Sequence, residues 1–314
     1  MAKLPPVLCP NCDQTVESAE FVPSARGGAP SATTYESCLR KCDVCGLGFS
    51  NADSSDLESL TLVYLNPFSN VPSFVADGYE QALGTSLNKR NRRAKGYKFL
   101  SSKSEDHVTW TIFCYLARVG HLASTMSRLG ILPEVSEEPA LLLWGVPLPS
   151  TESATLLRDQ IEGVSNSLDE HPNSRSEPDV ILDFGKHGLV FIEVKLWSGN
   201  DSLDRNSRKW DSYLEGSNAF ADCDKAKRSG LYELCRNWRI ALDLANNRSV
   251  RLINLGPKSL WKGGEASRVQ LFRESLRIRP DRSFLTVSWD TFLAGIVDKP
   301  EWLKRYISDR KIPE

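Results

Sequence analysis

The spacing of apolar residues along the chain changes several times, and each change marks a predicted element. Trp110, Phe113, Cys114 and Ala117 recur at helical spacing. Ser102, followed three residues on by Glu105, reads as a capping box, so a helix is expected to start near Ser104 and stop at Gly120. Leu141–Val146 reads as a short strand and 152–161 as a helix. Residues 163–178 are polar and contain Pro172 and Pro178, which predicts an exposed, mobile loop. Two continuous apolar runs follow, Val180–Phe184 and Leu189–Val194. Gly185-Lys186-His187-Gly188 separates them, a strong hairpin signal. Beyond polar residues 198–212, a long helix is expected over Leu231–Ala245. Strands are expected at Val250–Leu255 and Phe284–Val287, with closing helices near 290–297 and 301–309. Helix, hairpin, helix and strand in that order predict a mixed α/β (α+β) fold.

The hairpin also places chemistry. A turn centred between Lys186 and His187 sets Asp179 opposite Glu193 at the open end, where facing Cβ atoms lie about 5 Å apart. Alternation along the strand puts Glu193 and Lys195 on one side. An apolar strand ending in Glu-x-Lys sets charge where burial is expected, and unpaired buried charge is expensive, so a partner or a metal is implied. Two carboxylates with open coordination positions suit Mg or Mn, which neutralise phosphate charge and acidify a bound water. Beside two carboxylates the pKa of Lys195 should rise, so its expected role is a cation that orients and stabilises hydroxide, not a neutral base. Asp183 shares the strand face but lies nearer the turn and ranks below Asp179.

Five of the eight cysteines fall in the first 45 residues. Cys9-Pro-Asn-Cys12 and Cys42-Asp-Val-Cys45 are two CxxC knuckles separated by 29 residues, a pattern that binds Zn through four thiolates. Such a site is structural, because four cysteines leave no open position. Cys38 is an extra thiol, and a Cys38-Cys42-Cys45 trio with one first-knuckle cysteine remains an alternative ligand set.

Bulk properties limit the partners. The 314 residues are 40% hydrophobic and 25% charged, ordinary for a globular protein, and the net charge of -1 restricts any nucleic-acid surface to a local patch. The stretch Lys89, Arg90, Arg92, Arg93, Lys95, Lys98 and Lys103 is the candidate, with Tyr97 and Phe99 as stacking or packing groups. No apolar run approaches the ~20 residues that span a bilayer. The start, MAKLPPVLCP, lacks a signal-peptide core, so a cytoplasmic location with reduced thiols is expected. His107, on the same helix as Glu105, could approach the hairpin's acids and lysine, although a lone histidine is more often a packing or capping residue. No Gly-rich phosphate loop is present.

Glu177-Pro178-Asp179, thirteen residues, then Glu193-Val194-Lys195 resembles the PD-(D/E)XK, or restriction-endonuclease-like, superfamily. The resemblance covers about residues 104 to 256. It implies a mixed central sheet flanked by helices, and a further acid on the first core helix, a role that Glu105 matches with Asp106 as substitute. It also implies polar residues on the helix after Glu-x-Lys, where Tyr232 and Arg236 stand. The N-terminal segment resembles a zinc ribbon. The expected organisation is a zinc ribbon at 1–50, a basic connecting region at 51–103 and a nuclease domain with C-terminal helices at 104–314. The implied activity is Mg- or Mn-dependent endonuclease cleavage of DNA, with restriction or antiviral defence as a setting. Asp179, Glu193 and Glu105 would hold the metal and Lys195 the attacking water, while Cys9, Cys12, Cys42 and Cys45 hold Zn. A homodimer or partner protein is a further expectation. The alternatives are an RNA or structured-DNA nuclease, or a non-catalytic adaptor with a degenerate nuclease fold.

Overall fold

A computed structural model describes residues 1–312 apart from 26, 86–94, 97, 172–176 and 217. At the N-terminus, β1 (Val7–Leu8) and β2 (Thr15–Val16) form a short antiparallel pair. Beside it β3 (Arg40–Cys42), β4 (Leu47–Phe49) and β5 (Leu62–Tyr64) form an antiparallel sheet, so the stretch beyond residue 50 supplies one of its strands. Val7, Val16, Leu47, Phe49, Leu60 and Tyr64 fill a small separate core. Arg40 is fully buried, and its guanidinium donates to the carbonyls of Pro5, Ser50, Ala52 and Ser54, lacing the N-terminus to the loop after β4.

Short helices α1 (Ser73–Ala76) and α2 (Tyr79–Thr85) lead to α3 (Glu105–Val119) and α4 (Leu122–Arg128). Helix α3 stops at Gly120, whose φ of 68° is the left-handed conformation favoured by glycine. Its cap, however, is Ser104, which accepts from His107 N, and not Ser102; the Ser102 hydroxyl instead accepts from Leu62 N at β5. Strands β6 (Ala140–Leu143) and β7 (Val146–Pro147) are two strands where one was expected, because Trp144 and Gly145 both take positive φ and reverse the chain. Helix α5 (Glu152–Ser167) runs six residues past the expected end at 161, so the first part of the expected loop is helix. Glu170 beyond it is buried rather than exposed; residues 172–176 of that loop lie outside the described residues.

The hairpin β8 (Val180–Asp183) and β9 (Leu189–Val194) turns through Gly185–His187, with Val180 paired to Ile192 and Asp183 to Leu189. After α6 (Asp211–Leu214), α7 (Cys223–Ser229) and α8 (Tyr232–Ala245) comes β10 (Val250–Gly256). Then α9 (Gly263–Ser275), β11 (Arg282–Ser288), α10 (Trp289–Gly295) and α11 (Glu301–Asp309) complete the chain. Helix α9 escaped the sequence pattern because its buried residues are only Val269, Phe272 and Ser275.

The main sheet has six strands in the order β11-β10-β9-β8-β6-β7. Strands β9, β10 and β11 are parallel, and the β8 side is antiparallel, which makes a mixed sheet. Helices cover both faces. Val190, Ile192 and Val194 pack toward α3, α4 and α10, while Leu189 and Phe191 pack toward α5, α8 and α9. This two-faced burial explains why β8 and β9 read as continuous apolar runs instead of alternating ones. No helix of the described residues is long and apolar enough to cross a membrane.

Candidate active site

The candidate site forms where β8 and β9 run out. The observed register, continued one step beyond Val180–Ile192, brings Asp179 opposite Glu193. Asp179 Oδ2 accepts from Val194 N at 2.9 Å, and the Asp179 carbonyl accepts from Trp144 N at 3.1 Å, which ties it to both neighbouring strands. Glu193 is 4% exposed and Lys195 6%. Lys195 N continues the ladder by donating to Leu255 O, and Trp289 Nε1 donates to the Lys195 carbonyl at 2.9 Å. Gly256 passes close by: a Cβ there would stand 3.6 Å from Lys195 Cβ and collide with Leu260.

Helix α3 contributes Glu105 from its first turn, where the helix dipole favours a carboxylate. Glu105 Oε2 accepts from Leu196 N at 2.6 Å and from Ser198 Oγ at 3.0 Å, so it fastens the chain just past Lys195. Helix α8 contributes from the opposite layer. The Lys195 ammonium lies 2.8 Å from Glu193 Oε1 and donates to Glu233 Oε2 at 2.9 Å, while Asn237 Nδ2 donates to Glu193 Oε2 at 2.8 Å.

A buried network behind Asn237 sets its orientation. Arg236 Nη1 donates to Asn237 Oδ1 at 3.1 Å, which leaves the amide nitrogen aimed at Glu193. Arg236 is itself held by both oxygens of Glu170, at 2.5 and 3.0 Å, and the Tyr213 hydroxyl donates to the same carboxylate. At the other edge Lys95 pairs with Asp106 and lies 4.6 Å from the Trp144 ring centre; its charge is felt at Asp179.

The electrostatics follow from crowding in a buried place. Burial, and then the Asp179 charge, push Glu105 up to about 7 in spite of Lys195 and its own hydrogen bonds. Burial also raises Asp179, and it raises Glu193 well above the usual carboxylate range, with Asp179 and Glu233 adding to the effect. Burial alone would lower Lys195, but Glu193, Glu233, Asp179 and Glu105 together overturn it and hold the ammonium protonated.

Glu105 therefore binds a proton in the folded chain between its ordinary value near 4.5 and about 7, where the unfolded chain does not. Stability should fall as pH rises through that window, by up to about 3 kcal/mol. Denaturant unfolding at pH 5 to 8 without added divalent cation should show this slope in the wild type and a shallower one in Glu105→Gln. Parallel profiles would refute the assignment.

Glu105, Asp179, Glu193 and Lys195 thus come together. Asp106 does not reach the β9 end and pairs with Lys95. Asp183 is at the turn, bound to Arg248 at 2.7 Å. His107 is a buried packing residue, hydrogen-bonded to Tyr306 and to Pro67 O, and burial followed by the Arg310 charge holds its pKa well below the ordinary value. Arg236 acts through its hydrogen bond to Asn237 and through its charge, which is felt at Glu233, and Tyr232 packs edge-on against Tyr213 and Trp210. The residues of α8 that reach the site are Glu233 and Asn237, which sequence reasoning missed. Their signal was available: two polar residues four apart on an amphipathic helix. Of the basic stretch, Lys89, Arg90, Arg92, Arg93 and Tyr97 lie outside the described residues.

The sulfurs of Cys9, Cys12, Cys42 and Cys45 all lie within 4.8 Å of one another. Tetrahedral zinc with Zn–S bonds of about 2.3 Å needs S···S separations of about 3.8 Å, so the four can hold such an ion with little adjustment. Gly46, at φ 61°, makes the tight turn after the second knuckle, its N–H reaching Cys42 O. Cys38 is outside the cluster: its thiol donates to Thr34 O and packs on Gly48, and burial pushes it up to about 11. The ligand set containing Cys38 is therefore not the one assembled. Among the described residues, the acids of the strand-end site do not gather their oxygens in this way; the Lys195 ammonium stands between them.

No known family, curated protein or solved structure matches the chain, so function rests on the sites themselves.

Proposed function

We propose that the chain is a divalent-cation-dependent nuclease of the PD-(D/E)XK kind that cleaves phosphodiester bonds of DNA, with a structural zinc in its N-terminal module. The supporting observation is the convergence of Glu105, Asp179, Glu193 and Glu233 on the single ammonium of Lys195 at the ends of two strands. One lysine leaves an excess of buried negative charge, and a hard cation with oxygen ligands is the chemistry that relieves it. Each of Asp179 and Glu105 has one oxygen anchored by a main-chain amide, and the second oxygen carries no hydrogen bond among the described residues. These free oxygens and Glu193 would hold Mg or Mn. The cation would supply phosphate neutralisation and a water acidified toward neutral pH. Lys195, kept protonated, places positive charge beside that water or the phosphate. Asn237 steadies Glu193, and Lys95 offers a second cation to the backbone of the nucleic acid.

The second reading, a non-catalytic nucleic-acid or protein adaptor, is favoured by one feature: both oxygens of Glu193 are already satisfied by Lys195 and Asn237. Plasmid DNA, single-stranded DNA and RNA incubated with Mg or Mn decide between them. Removing a metal ligand worth several kcal/mol should slow the reaction about a thousandfold. The expected result is cation-dependent DNA cleavage by the wild type that Asp179→Asn lowers by that order. Absence of cleavage by the wild type supports the adaptor, equal cleavage by both proteins would overturn the proposed site, and preference for RNA would overturn only the substrate.

A further inference from the structure

Beyond the strand-end site, a cleft of about 380 Å³ opens between the cysteine module and the main domain, within the size range of small-ligand sites, roughly 300–1,000 Å³. Leu60 and Tyr64 contribute buried apolar surface to it. Its wall carries Trp197, which is 44% exposed although it directly follows buried Leu196. Asn11, inside the Cys9–Cys12 knuckle, and Asn70 line the same space. Both are exposed, and neither side chain carries a hydrogen bond among the described residues. Lys103 also lines it, with its ammonium 6.0 Å from the Trp197 ring centre, at the outer limit of a cation–π contact.

Two features link this cleft to the strand-end site. Trp197 is fixed between Leu196 and Ser198, both of which bond to the Glu105 carboxylate. Lys103 immediately precedes Ser104, the cap of the helix that carries Glu105. An aromatic face, side-chain amides that both donate and accept, and an exposed lysine are the groups that hold a nucleobase and its phosphate: the ring stacks, the amides read the base edge, and the cation pairs with the backbone. The two acids that line the cleft are both offset by neighbouring cations: Glu58 pairs with Lys311 at 2.6 Å, and Asp309 feels the charges of Arg305 and Arg310.

Resting on the nuclease reading of the neighbouring site, we infer that the cleft takes an unpaired nucleobase of the substrate, stacked on Trp197, so that the enzyme acts on DNA with a single-stranded tail or a displaced base. The cysteine module, through Asn11, forms one side of this base site.

The test is binding by the full chain carrying Asp179→Asn, measured by fluorescence anisotropy without added divalent cation. The probes are a blunt DNA duplex and the same duplex with a single-stranded tail at one end or the other. Loss of one stacking contact corresponds to roughly a tenfold change in affinity. The tailed probe should bind about tenfold more tightly than the blunt one. Adding Trp197→Ala should erase that difference and leave blunt-duplex affinity and the melting temperature unchanged, while Trp197→Phe should keep most of it. Equal binding of the two probes, failure to bind either, or an equal loss on both in Trp197→Ala would overturn the base site. Failure of the nuclease reading shows separately: a wild type that never cleaves, yet keeps Trp197-dependent preference for the tail, leaves the cleft assignment standing.

Discussion

Lys195→Met is expected to abolish most cleavage and, without divalent cation, to destabilise the fold in a pH-dependent way. Lys195 is 6% exposed, and its ammonium lies within 3 Å of both Glu193 and Glu233. Methionine fills a similar volume and removes only the charge. Four carboxylates would then face one another without compensation, and breaking a buried ion pair from one side costs about 3–5 kcal/mol. At pH 8 the full loss should appear. At pH 6 it should shrink, because Glu105, already up to about 7 in the wild type, and Glu193, raised further by burial, can take protons when the lysine is gone. Mn should return part of the stability by binding where the ammonium was; ligand at a hundred times its Kd contributes about 2.7 kcal/mol. On the proposed nuclease chemistry cleavage should not return, since the cation that would orient the water is missing. Denaturant unfolding at the two pH values, with and without Mn, reads the first three effects, and a plasmid assay reads the fourth. Cleavage at the wild-type rate would remove Lys195 from the chemistry. A pH-independent loss that Mn leaves unchanged would mean that the acids do not form a common site.

Cys42→Ser is expected to release the metal and unfold the N-terminal module while the six-stranded domain remains folded. The strands β1 to β5 are two or three residues long, and eight buried residues make up their core. A core of that size does not hold a fold alone, whereas structural zinc contributes roughly 10–16 kcal/mol in comparable small sites. Metal analysis should find about one zinc per wild-type chain and none in the variant, and limited proteolysis should cut before residue 65. Cys38→Ser should keep the metal, because that sulfur lies against Gly48 outside the cluster. Zinc that survives replacement of Cys9, Cys12, Cys42 and Cys45 together would refute the site, as would a protease-resistant N-terminus after chelation.

The parts of the candidate site that could be read along the chain are those with short, whole-number periods. The hairpin has a period of two, so once the turn was placed between the apolar runs, the opposition of Asp179 and Glu193 and the shared side of Glu193 and Lys195 followed. The two CxxC knuckles are likewise local, each a turn that presents its own pair of thiols. Helix α8 shows where this reasoning stops. A helix advances about 100° per residue, so identifying the element leaves its rotation open. Tyr232 and Arg236 were the expected contributors, and Glu233 and Asn237, one residue on, are the ones that reach the site.

By itself the sequence determined the acid–acid–lysine hairpin and the two CxxC knuckles, because local geometry places these groups, whereas the acid at the head of α3 was expected from the family resemblance. Only the tertiary structure decided which helix faces meet the strand ends, that Glu105 reaches over to Leu196 N, that Cys38 is left out and that Trp197 lines a cleft with Asn11. Those choices depend on packing between segments tens to hundreds of residues apart, where burial of apolar surface sets the orientation and the polar groups follow.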